Sequence, residues 1–196
     1  MCGIFGFVSK EKVKAVPIIL DGLKRLEYRG YDSSGLAVLT GSRIYSKKRS
    51  GRITELEKVA SDGVMASVAI GHTRWATHGK PTDKNAHPHC DCTGKIYLVH
   101  NGIIENFKEL KSKLEKRGHI FKSDTDTEVA AHLVEDFLKN YSFEEAVRLA
   151  LKSLVGTYAF AIVNADNPTT MIVARNSSPH LVGLSDTHKF VASDAS

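Results

Sequence analysis

Short apolar runs open and close this chain, and its longest amphipathic stretches are gathered between them. The first run, Gly3-Ile4-Phe5-Gly6-Phe7-Val8, is bounded by charge and predicts a buried strand that starts almost at the terminus. Helical spacing follows through Val16, Ile19, Leu20, Leu23 and Leu26, with Pro17 tolerable only in a first turn. A strand over 36–39 is expected to pair with Ile44 and Tyr45 across a turn at Thr40-Gly41-Ser42. A modest helix over 56–60 precedes strands over 67–71 and 96–99. Three capping pairs then announce helices: Asn106 with Glu109, Thr125 with Glu128, and Ser142 with Glu145. The first of these helices stops at Gly118. Strands are expected again over 158–163, 171–174, 181–184 and 190–192. Strands, a block of helices and strands again argue for an α+β fold with mainly antiparallel pairing, because alternating βαβ units would spread the helices evenly. The polar stretch over 72–94 reads as a loop longer than connections usually are, and such loops often carry function.

The remaining bulk properties exclude several classes. A length of 196 residues suffices for one domain with a real core. Hydrophobic residues at 42% and charged residues at 25% are those of a soluble globular chain. No stretch approaches the ~18 continuous apolar residues of a membrane span, and the N-terminus lacks the pattern of a secretory signal. Three cysteines, two of them at Cys90-Asp91-Cys92, do not make a disulfide framework, so a reducing cytoplasm is the expected compartment. The net charge of +5 is spread along the chain. Its densest basic run, 108–117, alternates with Phe107, Leu110 and Leu114 as the wet side of a helix. Nucleic-acid binding is not expected, since no motif or aromatic interleaving accompanies the charge.

Chemistry concentrates at the ends of the expected strands. Cys2 directly follows the initiator methionine, which is normally trimmed when its neighbour is small. Trimming gives one residue a thiol and a free α-amine, whose pKa of about 7.7–8.0 suits it to act as base for its own thiol. Three polar segments stand beside it in the sequence: 72–79 (HTRWATHG), His100-Asn101-Gly102, and 124–128 (DTDTE). A thiolate attacking an amide needs donors at the developing oxyanion, and Asn101-Gly102 offers a side-chain N–H and an unobstructed backbone N–H. An arginine and an acid set apart, Arg74 and Asp126, suit the carboxylate and ammonium of an amino-acid substrate. These residues together describe a cysteine amidase acting on a zwitterion.

The segments Cys2-Gly3-Ile4, 26–33 (LEYRGYDS), 72–79 (HTRWATHG) and 99–106 (VHNGIIEN) resemble those of the class II glutamine amidotransferases. More narrowly they resemble the glutaminase domain of the glucosamine-6-phosphate synthases. The resemblance runs over essentially the whole chain. It implies an N-terminal nucleophile hydrolase fold, a four-layer αββα sandwich with two mainly antiparallel sheets. It also implies that Cys2, once Met1 is lost, attacks the side-chain amide of L-glutamine, its own α-amine relaying the proton to the leaving ammonia. Water then releases glutamate from a thioester. By similarity, Asn101 and Gly102 form the oxyanion hole. Arg74, with Thr77 and His78, holds the substrate carboxylate and Asp126 its ammonium. Arg29 organises the surroundings of the nucleophile, and Trp75 lies in the loop that covers the site. No cofactor or metal is implied.

In the full-length synthases the ammonia passes to a fructose-6-phosphate-binding isomerase domain, and a homodimer is expected there. Residues 1–196 are expected to be a single glutaminase domain, truncated at its C-terminal end, with the sugar isomerase domains absent. The competing readings are a catalytically silent glutamine-binding or assembly module, if Met1 is retained or the truncation disorders the site, and an amidotransferase domain serving another acceptor. At the level of single residues, Arg74 and Asp126 could instead form a structural ion pair with each other, and Asn101-Gly102 could be a tight turn. The cluster His87-Pro88-His89-Cys90-Asp91-Cys92 carries zinc-type side chains. Its one-residue gaps strain tetrahedral geometry, and no second ligand pair follows at finger-like distance, so it is expected to be a loop without metal.

Overall fold

A computed structural model describes residues 2–76 and 79–195. It is organised by two antiparallel sheets. The first strand, β1 (Gly3–Lys14), runs directly into helix α1 (Ala15–Arg25). Strands β2 (Ser33–Thr40) and β3 (Arg43–Ser50) form the expected hairpin, followed by the short helix α2 (Ile53–Glu57) and strand β4 (Met65–Arg74). Strands β5 (His89–Cys90) and β6 (Ile96–Ile104) lead into helices α3 (Phe107–Lys116), α4 (Glu128–Leu138) and α5 (Phe143–Ser153). The chain closes with β7 (Gly156–Asn164), β8 (Met171–Asn176), β9 (Leu181–Leu184) and β10 (His188–Ala192). One sheet has the order β3-β2-β4-β1-β10-β9 and the other β5-β6-β7-β8.

Alternation along the strands builds three cores. In β2, Leu36 and Val38 face α1 and α2, while Ala37 and Leu39 face the second sheet. In β7, Phe160 and Ile162 face the helices α3, α4 and α5, while Ala161 and Val163 face the first sheet. A strand places successive side chains on opposite faces, so a continuous apolar run is the mark of a strand buried on both. The result is the four-layer αββα sandwich, with Ile4, Val68, Ile70, Val99 and Val191 filling the space between sheets.

Several local expectations are corrected. Strand β1 passes beyond Val8 because an irregularity between Val8 and Val13 lets the exposed charges of Lys10, Glu11 and Lys12 stand outside the ladder before Val13 pairs with Ala66. The stretch 72–94 is less of a loop than its polarity suggests, since β4 continues to Arg74 and His89 and Cys90 pair with Leu98 and Tyr97. Asn101-Gly102 is not a turn, because both residues continue β6 and pair with Ala159 and Tyr158 of β7. Asn106 does not cap α3 with its side chain; its amide joins Ser153 O at 2.9 Å and Val155 N at 3.0 Å, tying α3 to the end of α5. Thr125 likewise leaves α4 uncapped, and Glu128 accepts the amide hydrogens of Lys122 and Ser123 instead. Ser142 does cap α5, accepting the Glu145 amide at 3.4 Å.

Candidate active site

The N-terminal strand delivers Cys2 to the edge of a cavity of about 310 Å³. That volume lies at the small end of ligand pockets, which run to about 1,000 Å³. Cys2, Arg29, Trp75, Asn101 and Gly102 line it, together with Ile103, Thr157, Ser178 and Pro179. Cys2 precedes the pairing of Gly3 with Thr73, so its thiol lies beside the end of β4. The Trp75 amide donates to Cys2 Sγ at 3.2 Å, and the thiol is 3.5 Å from Trp75 O. Gly30 makes this approach possible: a Cβ there would stand 2.7 Å from Trp75 N and 2.6 Å from the Arg74 carbonyl carbon. Burial pushes the Cys2 thiol above its ordinary pKa, opposed by the Trp75 N–H and by the charges of Arg74 and Arg29. A thiol in that state needs a base at hand before it can attack.

The backbone of Cys2 is held from two sides. Its carbonyl accepts Arg29 Nε at 3.1 Å and Asn101 Nδ2 at 3.0 Å. The guanidinium of Arg29 is buried and its Nη1 meets Asp194 Oδ2 at 2.6 Å, while Tyr28 donates its hydroxyl to the same carboxylate. Ser193 receives the Ile4 amide on its hydroxyl at 3.0 Å, so β1 is locked to residues 193–194 just beyond β10. No sequence pattern pointed to Ser193 or Asp194, which stand far from Cys2 along the chain.

Asn101 is oriented by a residue to which the sequence gave no role of its own. His72 Nε2 lies 3.0 Å from Asn101 Oδ1 and 3.1 Å from His100 O. Both partners are acceptors, so Nε2 carries a proton. Burial pushes its pKa down to about 3, and the bond to Asn101 only partly opposes this. With its oxygen engaged, the Asn101 amide turns its NH₂ toward Cys2. Gly102 has φ of 137°, and a Cβ there would stand 2.0 Å from Thr157 O, which leaves room for glycine alone.

The two expected substrate clamps are buried nearby but do not line the cavity. Arg74 donates to Gly79 O at 3.3 Å and Lys80 O at 3.5 Å. Burial lowers its pKa, and the charges of Cys2, Asp126 and Asp32 act to raise it. Asp126 accepts the Ile104 amide at 2.7 Å, which fixes its carboxylate at the end of β6. Trp75 is half-exposed and sets its ring edge-on to Tyr31 with centroids 5.6 Å apart. Thr77 and His78, also expected at the site, lie outside the described residues.

Comparison with known proteins places this geometry in context. The family model described as "Glutamine amidotransferase domain" matches residues 72–194. Glutamine–fructose-6-phosphate aminotransferases of Pyrococcus horikoshii and Thermococcus kodakarensis are 53% and 55% identical over 99% of this chain. The chain spans about a third of the length of these curated relatives, 32% in each case. Among solved structures, the glutamine phosphoribosylpyrophosphate amidotransferase of B. subtilis superposes with a TM-score of 0.83. It is 33% identical, with 98% of this chain and 42% of that one covered.

Proposed function

Because the chain belongs to the glutamine amidotransferase domain family, we propose that it hydrolyses L-glutamine to L-glutamate and ammonia with Cys2 as nucleophile. The observation that carries this reading is the convergence of the Cys2 thiol, the Asn101 amide and Gly102 on one cavity. Removal of Met1 frees the α-amine of Cys2, the base that a thiol raised by burial lacks. Attack on the side-chain carbonyl carbon of glutamine forms a C–S bond. The negative charge on the carbonyl oxygen is met by Asn101 Nδ2, released from the Cys2 carbonyl, and by the Gly102 amide. Collapse expels ammonia with a proton from the α-amine, and water then cleaves the thioester. Arg74 and Asp126 hold the carboxylate and ammonium of the substrate, with Thr77 and His78 assisting Arg74. Reaching a substrate in the cavity requires both clamps to open toward it.

The relatives' names support one acceptor. In a longer protein, ammonia made here passes to a sugar-phosphate isomerase domain that binds fructose 6-phosphate, and this chain supplies the glutaminase half-reaction. The test is glutamate release by the purified chain, with intact mass reporting whether Met1 is gone. Processed protein is expected to release glutamate, and Cys2→Ala to abolish it with glutamine still bound. Equal rates from both proteins would sink the proposal.

A further inference from the structure

A second constellation lies away from the cavity, where α4 meets the β5–β6 turn and the α3–α4 connection. Cys92 follows β5, His119 lies between α3 and α4, and His132 and Glu135 share one face of α4 at three-residue spacing. One donor atom from each of the four lies within 4.8 Å of the others. The individual separations are 3.5 Å for Cys92 Sγ to His132 Nδ1 and 3.9 Å for Cys92 Sγ to His119 Nδ1. The two Nδ1 atoms are 3.2 Å apart, and Glu135 Oε2 is 3.0 and 3.2 Å from them. A tetrahedral ion with bonds of about 2.0–2.3 Å sets its donors about 3.3–3.8 Å apart, close to this set.

We propose that Cys92, His119, His132 and Glu135 are the four ligands of a structural zinc ion. The far side of the His132 ring supports it. His132 Nε2 meets Glu128 Oε1 at 3.5 Å, and a proton held there leaves Nδ1 as a bare lone pair, the arrangement usual for metal-bound imidazole. His119 Nε2 is buried without a hydrogen-bond partner, its nearest carboxylate being Asp136 Oδ1 at 3.6 Å. The two Nδ1 atoms face each other across 3.2 Å, beside a carboxylate oxygen and a sulfur. Four electron-rich atoms converging on one point call for a cation at that point. Hydrogen bonds alone serve the cluster poorly. Glu135 Oε2 already accepts the Cys92 amide at 3.1 Å, so an Nδ1 proton must either share that oxygen or go to the facing Nδ1, which leaves lone pairs over in the cluster. The Ile120 amide approaches Cys92 Sγ at 3.3 Å, as donors do around a metal thiolate.

Both imidazoles are buried and Cys92 is exposed, which gives an ion a route in from solvent. Four protein ligands close the coordination sphere, which marks the site as structural rather than catalytic. None of the four lines the cavity beside Cys2. The ion would clip the turn after β5 and the α3–α4 connection onto α4. Of the cluster over 87–92, Cys92 alone takes part; the fold brings the other three ligands, His119, His132 and Glu135, from far along the chain.

The experiment is elemental analysis of the purified, tag-free chain, followed by chelation and titration with Co²⁺ as a spectroscopic stand-in. Zinc near one per chain is expected, with a thiolate-to-cobalt charge-transfer band and the strong visible absorption of tetrahedral cobalt. Cys92→Ser is expected to remove the band and weaken Zn²⁺ binding by at least about 100-fold. Cys2→Ala and Cys90→Ser are expected to keep both; Cys90 lines a different pocket with Lys48 and Tyr97. Substoichiometric metal without saturable cobalt binding would overturn the proposal, as would a band that survives Cys92→Ser or disappears with Cys2→Ala. Should Cys92→Ser fail to fold, the wild-type cobalt spectrum decides: a thiolate band at one equivalent supports the site, and its absence overturns it.

Discussion

Asn101 shows how much a single side chain at this site depends on what stands behind it. Its amide is pinned by neutral His72 on the oxygen side and reaches the Cys2 carbonyl on the nitrogen side. Removing one oxyanion donor in comparable acyl-transfer sites costs about 10²–10³ in kcat. Asn101→Ala is therefore expected to lower glutamine turnover by that factor, and unchanged kcat in a steady-state assay would remove Asn101 from the oxyanion hole. Chemistry made Asn101, Gly102 and Cys2 candidates in the sequence, because an amide-cleaving thiol needs donors of that type. His72 was visible only as a member of a motif. Its task depends on the register of β4 against β2 and β1 and on its burial under β6, none of which is encoded locally.

Among the elements, only Ser142 of the three capping pairs caps its helix, and the reason is physical. Ser142 caps α5 because it stands in extended conformation with φ of −63° and ψ of 164° just before the helix. Asn106 and Thr127, which precede α3 and α4, have backbones that turn away from that geometry, and tertiary partners take the nearby polar side chains instead. Loss of a serine cap typically costs about 1 kcal/mol. Ser142→Ala is expected to destabilise the chain by about that amount in urea titration while Asn106→Ala acts through the lost tie to Ser153 and Val155. A stability for Ser142→Ala equal to wild type would contradict the cap. The strand expected over 96–99 extends to Ile104 although Asn101-Gly102 carries a strong local turn signal. Nine residues of pairing to β7 outweigh a dipeptide preference.

At the scale of the whole molecule, a row of histidines is buried around the seam between the sheets. His72, His87, His89 and His100 are all held neutral, burial being the main cause in each. His72 and His87 lie with ring centroids 4.2 Å apart, and His87 and His89 at 4.6 Å. Their hydroxyl partners come from the segment before α4: Thr127 serves His87 and His100, and Thr125 serves His89. A histidine whose folded pKa lies below its unfolded value of about 6.5 binds more protons when unfolded. Its contribution to stability is complete above pH ~6.5 and is lost as pH falls toward the folded pKa, about 3 for His72. The slope approaches about 1.4 kcal/mol per histidine per pH unit. Thermal unfolding is therefore expected at markedly lower temperature at pH 5.5 than at pH 7.5. Equal midpoints at the two values would show that these rings are not held neutral by the fold.

The sequence by itself determined the class of the fold and the identity of the chemistry. Continuous apolar runs flanking a block of amphipathic helices allow few alternatives to stacked antiparallel sheets, and a cysteine at position 2 with an Asn-Gly pair narrows the reaction. No helix among the described residues is long and apolar enough to cross a membrane, in line with the same patterning. Only the tertiary structure decided which distant groups support those residues. Asp194 anchors Arg29 across the sheet, His72 aims Asn101, and Cys92 finds two imidazoles and a carboxylate on and beside α4. Such pairings depend on long-range register and on the direction a side chain takes at a loop, and neither leaves a local spacing to read. Local periodicity fixes what each segment is. Which segments meet is settled by the packing of the sheets.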